Sequence, residues 1–505
     1  MSYNVLYVIG KKPNSGGTMK NKLLILPILL LFTAFPLSAE TSIILEEFDG
    51  GSLSFNMEFN TDWMYGSRGD ALRSGGAMST LDVQPSFTSY NPAVLCFLPS
   101  GTASLGLVPV SIISSDIFYG VIRSFVPDVM TGDTFNGFLA DKVNERLSSG
   151  LSESITIAAG VSTDISSIDA GFGQSTGLMG FEIMVPFARG QAAFAFAREN
   201  KTSIDMAMML TGLEALISVS DPDQPMLDIS MRAKVNAVLN FRVDNIVTSF
   251  GVGRKLNPDW GIGCVAEHYD SRFLFDGRAE ADGTATYSGN TLDFNTNEGN
   301  STQQRAYANI VGEAWGLRFG TSYHFMNNSL ELGADFSVQP QINFKGSPEV
   351  LLHTIPDSID LSDFTKTTAK NVEIMDGSLK IKLPSFLRLT FAARGGTGFT
   401  LNYTRYFDSY SLKFNNGYDN IEYHFQMMDG VNLGVNFGVF QIGAGAIYSR
   451  IYQKTNGVQE NIAWLALPML STGAVIPIGD YLKWEIDLFV FPLSVLKTAI
   501  SYTFK

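Results

Sequence analysis

Residues 378–391 read SLKIKLPSFLRLTF, and apolar and polar side chains alternate along them with a period of two. Leucine, isoleucine and phenylalanine take one set of positions, and the other set holds Lys380, Lys382, Arg388 and Thr390. Successive side chains of a β-strand point to opposite faces, so this period predicts a strand with one apolar and one polar face. The three cations are expected to share the polar face.

The same alternation recurs along most of the chain. It is clear in residues 329–338 and 484–504, and similar segments lie near 178–198, 228–252, 260–276, 305–325, 398–414, 420–450 and 462–478. The chain is therefore predicted to be all-β. A soluble sandwich or solenoid would show the same period, so alternation alone does not decide whether water or lipid surrounds the sheet.

Three further features favour a transmembrane antiparallel β-barrel. Tight connections, at residues 257–259 and 326–328, contrast with long polar ones at 277–304 and 346–371. Aromatic side chains crowd the strand ends, as in interfacial girdles. The chain ends on the alternating set Leu496, Thr498, Ile500, Tyr502 and Phe504, which resembles the assembly signal of outer-membrane barrels but carries the extra Lys505. Roughly 400 residues at about 29 per strand and connection predict about 14 strands.

Composition excludes several other classes. The 505 residues carry a net charge of −14, which argues against nucleic acid as a partner. Cys96 and Cys264 cannot build a four-cysteine metal centre, and whether they pair is left open. No metal or other cofactor is expected. The four histidines are scattered and no hydrolase motif is present, so an enzyme is not expected, although His268 with Asp270 stays a candidate.

The N-terminus predicts an exported protein. Residues 1–39 are interpreted as an over-extended start followed by a signal peptide, with Lys20 and Lys22 before an apolar run and cleavage after Ala39. Residues 40–101 are predicted to form a hatch inside the barrel, and residues 102–505 its wall. Two amphipathic helices are predicted within the wall region, over residues 133–148 and 204–217.

Short segments resemble one known family. Residues 66–95 end in Asn91, Pro92 and Ala93, and are similar to the hatch of the long-chain fatty acid outer-membrane transporter (FadL-like) family. Residues 254–263, 314–325, 342–346 and 382–384 resemble its later strands in the same order, whereas residues 103–250 match poorly. The resemblance implies an outer-membrane barrel plugged by a hatch, with Asn91, Pro92 and Ala93 in hatch closure, that takes up hydrophobic molecules and releases them sideways into the membrane.

The expected partners follow from this interpretation. They are fatty acids or similar hydrophobic molecules, outer-membrane lipid, and the barrel assembly machinery through the C-terminal strand. Lys380, Lys382 and Arg388 are candidates to receive a substrate carboxylate, or else they only balance an acidic lumen. A general porin and a non-transporting structural or partner-binding barrel are the alternative functions, because a fold does not fix a function.

Overall fold

The computed structural model describes residues 51–61, 74–82, 86–109, 156–162, 165–174, 176–220, 228–287, 290–294, 304–346, 349–354, 368–371, 378–415, 420–491 and 495–504. The predicted signal peptide and the helix predicted over residues 133–148 lie outside these ranges. Within them no helix is long and apolar enough to cross a membrane.

The described residues are nearly all in strands. In chain order these are β1 (Gly51–Thr61), β2 (Gly101–Val108), β3 (Thr156–Ser162), β4 (Ile165–Gln174), β5 (Gly177–Phe187), β6 (Ala192–Ser220), β7 (Asp228–Asn257), β8 (Trp260–Tyr287), β9 (Asn290–Phe294), β10 (Gln304–Phe325), β11 (Leu330–Val338), β12 (Gln341–Asn343), β13 (Glu349–Thr354), β14 (Thr368–Asn371), β15 (Ser378–Lys382), β16 (Phe386–Ala393), β17 (Gly398–Tyr406), β18 (Tyr410–Asn415), β19 (Asn420–Phe437), β20 (Phe440–Thr455), β21 (Val458–Ile478), β22 (Leu482–Phe491) and β23 (Val495–Phe504). Two short 3₁₀ segments, Pro92–Phe97 and Ala188–Gly190, complete the set within these ranges.

Fourteen of these strands close into a barrel. Antiparallel ladders join them in the order β2, β5, β6, β7, β8, β10, β11, β16, β17, β19, β20, β21, β22 and β23. The last strand returns to the first, because Phe504 pairs with Gly101 and the ladder continues to Thr498 and Leu107. The predicted antiparallel barrel of about 14 strands is confirmed.

The two rims of the barrel differ. Every connection at one rim is tight, at residues 188–191, 258–259, 326–329, 394–397, 438–439 and 479–481. At the other rim, residues 109–176 separate β2 from β5 along the chain, residues 344–377 separate β12 from β15, and the short turn at 456–457 joins β20 to β21. Outer-membrane barrels have short periplasmic turns and longer outer loops, so the first rim is taken as the periplasmic one.

The outward face of the wall exposes apolar side chains, as contact with lipid requires. Along β7 the inward Ser249 is fully buried, whereas its neighbours Phe250 and Val252 are 42% and 55% exposed. The same inversion holds around the ring, with charged side chains buried inside and phenylalanine, leucine and valine exposed outside. A soluble protein would place these faces the other way round, so the wall is built for a bilayer.

Aromatic side chains mark both edges of this apolar band. Tyr323 lies near the periplasmic end of β10 and Trp315 lies eight residues further up, and both are exposed. At a rise of about 3.4 Å per residue and a tilt of about 40°, the two levels are about 20 Å apart. That is close to the height of a membrane barrel's apolar band.

Three neighbouring wall strands are each broken once near the outer edge of this band. Residues 339–340 separate β11 from β12, residues 383–385 separate β16 from β15, and residues 407–409 separate β17 from β18. The upper pieces pair among themselves, β12 with β15 and β15 with β18. Proline occupies the first two breaks, at positions 340 and 384, where it cannot donate to a ladder.

One predicted element is wrong and another is only partly located. Residues 204–217, predicted as a helix, lie in β6 and pair almost continuously with β7. Helix propensity of methionine, leucine and alanine is a weak preference, and a long ladder overrides it. Within the segment predicted as hatch, β1 belongs to the sheet and pairs with β4 and β6, and residues 74–98 lie in the lumen where they are described.

Candidate functional site

The hatch, defined here as the described part of residues 74–98, fills the lumen near the periplasmic end. Its apolar side chains pack on small residues of the wall. This cluster comprises Phe87, Val94, Leu95, Leu98, Met184, Ala193, Ala195, Ala197 and Val265. Alanine on the inward face of β6 leaves the space that the larger hatch side chains need.

Asn91 anchors the hatch to two wall strands at once. Its side-chain Nδ2 donates to the backbone oxygens of Thr321 in β10, at 2.8 Å, and Ala334 in β11, at 3.2 Å. Its Oδ1 accepts from the backbone N–H of Ala93, at 2.9 Å, and caps the 3₁₀ segment that begins at Pro92. All three residues of the predicted hatch motif are buried. Its role in closure is not tested by this placement and stays a prediction.

Glycines in the wall make room for this contact. A Cβ at Gly320 would collide with the Asn91 side chain, and a Cβ at Gly263 would collide with the carbonyl of Pro92. At the other end of the hatch, a Cβ at Gly443 would overlap the backbone of Ser74. The hatch backbone therefore lies directly against the wall where side chains are missing.

Carboxylates on the inward face bind the hatch hydroxyls. Glu331 of β11 accepts from the Ser79 hydroxyl and, at 2.9 Å, from the Thr80 backbone N–H. Glu199 of β6 accepts from the Thr88 hydroxyl at 2.8 Å. These acids were not singled out from the sequence. Their only sequence signal is an acid at an inward position of an otherwise small or apolar strand.

Wall cations hold the hatch backbone in the same way. The Arg318 guanidinium donates to the Phe87 carbonyl at 2.6 Å, and the Arg394 guanidinium donates to the Leu81 carbonyl at 2.6 Å. Charge-assisted bonds of this kind are among the stronger hydrogen bonds in proteins. They tie the hatch into the lumen from several sides.

The predicted shared face of the three cations is wrong. Arg388 points inward, where it forms a bidentate pair with Asp335, at 2.9 and 3.0 Å, and its guanidinium lies over the Tyr90 ring. Above the break at residues 383–385 it is Leu379 that is buried, 6% exposed, in the interior cluster described below. Lys380 and Lys382 therefore point outward, because the break shifts the alternation by one residue.

These placements separate the candidate roles of the cations. The Arg388 side chain is 11% exposed, forms an ion pair with Asp335 and lies over the Tyr90 ring of the hatch. The Lys382 ammonium donates to the Gln339 backbone oxygen at 2.9 Å and lies 3.5 Å from Asp408. No hydrogen bond or ion pair of Lys380 occurs within the described chain. The role of Lys380, Lys382 and Arg388 in substrate binding stays a prediction.

An apolar cluster fills the lumen above the hatch. Its buried members are Val247, Tyr269, Ile310, Ile342, Phe344 and Leu379, and Phe273, Ala314, Ile381, Leu383 and Leu412 pack against them. The interior of a water-filled barrel would be polar at this level. This cluster instead offers a hydrophobic environment inside the wall.

The wall ladder is interrupted directly beside this cluster. Pairing of β10 with β11 stops at Leu317 and Val338, and it resumes only at the bridge between Val311 and Lys345. Between these two points Ile342 lies inside the lumen, because a Cβ built on the inward face of Gly312 would be 2.7 Å from the Cγ2 atom of Ile342. The segment 339–344, called here the inward segment, thus leaves a break between β10 and β12 at the level of Trp315.

A buried polar group connects the inward segment to the hatch side of the lumen. The Gln339 amide donates to Glu267 of β8 at 3.1 Å, and the Tyr269 hydroxyl donates to the same carboxylate at 3.0 Å. Lys201 forms an ion pair with Glu267 at 3.0 Å. Fully buried carboxylates persist only with such partners, so this group fixes the inner end of the break.

The structure does not bring together the residues considered for other chemistry. Both cysteines are free, and burial raises the pKa of the Cys96 thiol, which lies in the hatch, to about 11. His268 lies on the outward face beside Trp315, with its Nε2 3.9 Å from Glu313. Among the described residues no group of three or more potential metal ligands occurs.

Comparison of the fold with solved structures returns a FadL homologue and two toluene transporters, all at low sequence identity. A Pseudomonas aeruginosa FadL homologue aligns over 87% of this chain and 98% of its own, at 11% identity and a TM-score of 0.43. The Ralstonia pickettii toluene transporter TbuX has the same coverage, at 10% identity and a TM-score of 0.39. The P. putida toluene transporter TodX aligns over 87% of this chain and 99% of its own, at 12% identity and a TM-score of 0.37. No protein-family model and no curated protein matches the chain.

Proposed function

We propose that the protein carries long-chain fatty acids or similar hydrophobic molecules into the outer membrane, and that they leave the lumen sideways through the break between β10 and β12. The observation that carries this proposal is the coincidence of an interrupted ladder with an apolar cluster behind it. Backbone that is not paired at membrane depth is tolerated where it lines a cavity or is covered by protein. In this proposal the interruption between β10 and β12 is the path by which an apolar solute leaves the lumen.

The position of the hatch favours exit through the wall into the membrane over passage straight through the lumen to the periplasmic rim. Hydroxyl, amide and guanidinium contacts hold it from β5 round to β17, so a molecule entering from outside meets it before reaching the periplasmic rim. A hydrophobic solute also gains more by entering lipid than by crossing water. Asn91, Pro92 and Ala93 act in this proposal as the closure of the lower lumen.

Lys382 is the cation best placed to meet a fatty-acid head group. Its ammonium reaches the Gln339 carbonyl, at the start of the inward segment. A carboxylate leaving through the break would pass close to it and gain a charge-assisted bond. Arg388, paired with Asp335, would contribute by holding the hatch.

A reversible cross-link across the break tests the route. In a protein with Cys96 and Cys264 changed to alanine, the pair Gly312→Cys and Ile342→Cys is expected to form a disulfide, because position 342 lies against the Cβ direction of Gly312. Oxidation should lower uptake of radiolabelled oleate by cells at least about tenfold, and dithiothreitol should restore it.

The matched control joins the same two strands below the break. Phe319→Cys and Phe336→Cys are ladder partners on the lipid face, and their cross-link should leave uptake unchanged. Equal loss with both pairs, or no loss with either, would contradict lateral release. Native mass spectrometry of extracted protein distinguishes the alternatives, since a general porin or a structural barrel is expected to retain no hydrophobic ligand in the lumen.

A further inference from the structure

A row of three lysines and one glutamate crosses the outer part of four neighbouring strands. Ladder pairing sets Lys380 of β15 opposite Lys413 of β18, Lys413 opposite Glu422 of β19, and Glu422 opposite Lys454 of β20. We call these four residues the outer basic row. Adjacent strands lie about 4.8 Å apart, so the row is continuous across the surface.

The row faces away from the lumen. Its neighbours in the strands, Leu379 and Leu412, pack into the interior apolar cluster, and alternation turns Lys380 and Lys413 to the opposite face. On β20 the inward Ile447 is 4% exposed and the outward Tyr448 is 47% exposed. Lys454 has the same parity as Tyr448.

The charges within the row do not balance. Like charges directly opposite each other on two paired strands are destabilising, and Lys380 and Lys413 stand in that relation. Lys413 binds Glu422 at 2.9 Å, whereas Lys454 lies 5.7 Å from the Tyr452 ring centroid. Three ammonium groups therefore share one carboxylate, and the row is complementary to an anion.

The row lies just beyond the outer aromatic girdle. The exposed rings of Tyr448 and Trp464 stack at a centroid distance of 5.7 Å, and the Arg450 guanidinium lies over Trp464. Lys454 is six residues further toward the outer rim than Tyr448. Tyrosine and tryptophan mark the membrane–water interface, so the lysines lie at the level of lipid head groups.

The opposite side of the barrel lacks this surplus in its described part. On β7 Arg242 pairs with Asp244 at 2.7 Å, and on β8 Arg278 pairs with Asp276 at 3.3 Å. The chain as a whole has a net charge of −14. The outer basic row is thus a local exception on an acidic protein.

We propose that the outer basic row binds the phosphate groups of a phosphorylated lipid of the outer leaflet. The acyl chains would lie on the apolar band below the girdle, and the phosphates would meet Lys380, Lys413 and Lys454. Each ammonium presents three donors to phosphate oxygens. This site is independent of the transport proposal, since it lies on the outside of the wall.

Lipid binding to the delipidated full-length barrel tests this site. Native mass spectrometry with diphosphoryl lipid A as the probe should give a dissociation constant at least about tenfold weaker for K380Q/K413Q/K454Q, a change of about 1.4 kcal/mol. The variant R242Q/R272Q/R278Q, on the opposite side, is the matched control and should bind as the unchanged protein does; Arg272 lies in β8, opposite Asp244 of β7. The heat-dependent gel shift of each variant shows that its wall has assembled.

Further arms separate the possible ligands. Phosphatidylethanolamine, which is zwitterionic, should bind both variants and the unchanged protein alike, and millimolar inorganic phosphate should not displace lipid A. Should the triple lysine variant fail to assemble, K380R/K413R/K454R must bind normally and the single change K380Q must weaken binding. Unchanged affinity of the neutralised variant, equal loss in the control, or displacement by inorganic phosphate would overturn the proposal.

Discussion

The absence of a side chain at position 320 lets Asn91 reach the wall. The amide of Asn91 bonds carbonyls of two paired strands, which requires its backbone to approach the sheet more closely than any Cβ at Gly320 would permit. A buried amide left without partners costs about 1–3 kcal/mol. We therefore expect closure of the lower lumen to depend on small residues of the wall as much as on the hatch sequence.

Cys96 can report on this closure. Its sulfur lies 3.1 Å from the Ile262 carbonyl oxygen, and burial raises its pKa to about 11. At pH 8 the thiolate fraction is on the order of 0.001, so in a Cys264→Ala background we expect maleimide labelling to be slow and to rise about tenfold per pH unit up to pH 11. Gly320→Ala should displace Asn91 and speed labelling at pH 8 at least about tenfold. Gly396→Ala, which has open space around it, is the control, and equal rates in the two variants would refute the coupling.

At the scale of elements, the C-terminal strand closes the ring. The Phe504 ring lies over Gly101, at the first pair of the β2–β23 ladder, and Tyr502 stacks beside it with a centroid distance of 6.4 Å. We expect Phe504→Ser and Tyr502→Ser to lower the assembled fraction several-fold, because they remove apolar surface at the seam. Lys505→Ser should have little effect. The gel mobility of unheated samples measures this fraction, and similar losses at all three positions would contradict the assignment.

The sequence predicts strands correctly where the two-residue alternation of apolar and polar side chains runs unbroken. It predicts the wrong face where a proline or a break in the strand interrupts that alternation. The periods around Leu332 and Leu389 place those side chains on the lipid face, as the structure does. Pro384 interrupts one such period, and the face of Lys380 could not be predicted, because a one-residue shift reverses every later side chain. The inward carboxylates Glu199 and Glu331 were missed because their hatch partners lie more than 100 residues away in sequence.

At the scale of the whole molecule, the barrel is wider than its side chains can fill. Eight strands give an interior that side chains alone occupy, and this wall has fourteen. The hatch occupies the lower lumen and the apolar cluster occupies the lumen above it. We therefore expect water and ions to meet a blocked lumen from the outer side, and an apolar molecule to meet a compatible surface beside a break in the wall.

This arrangement predicts that the intact protein conducts little current and that the hatch is the reason. In planar bilayers we expect no large steady conductance from the full chain, because buried hydrogen bonds such as that from Arg318 to Phe87 keep the hatch in place. Deletion of residues 74–98 should open a stable porin-like pore, provided that the heat-dependent gel shift shows an assembled wall. A large conductance from the intact protein would favour a general porin. An assembled deletion variant that stays closed would instead mean that the upper apolar cluster alone seals the lumen, and lateral exit would then have to begin above that seal.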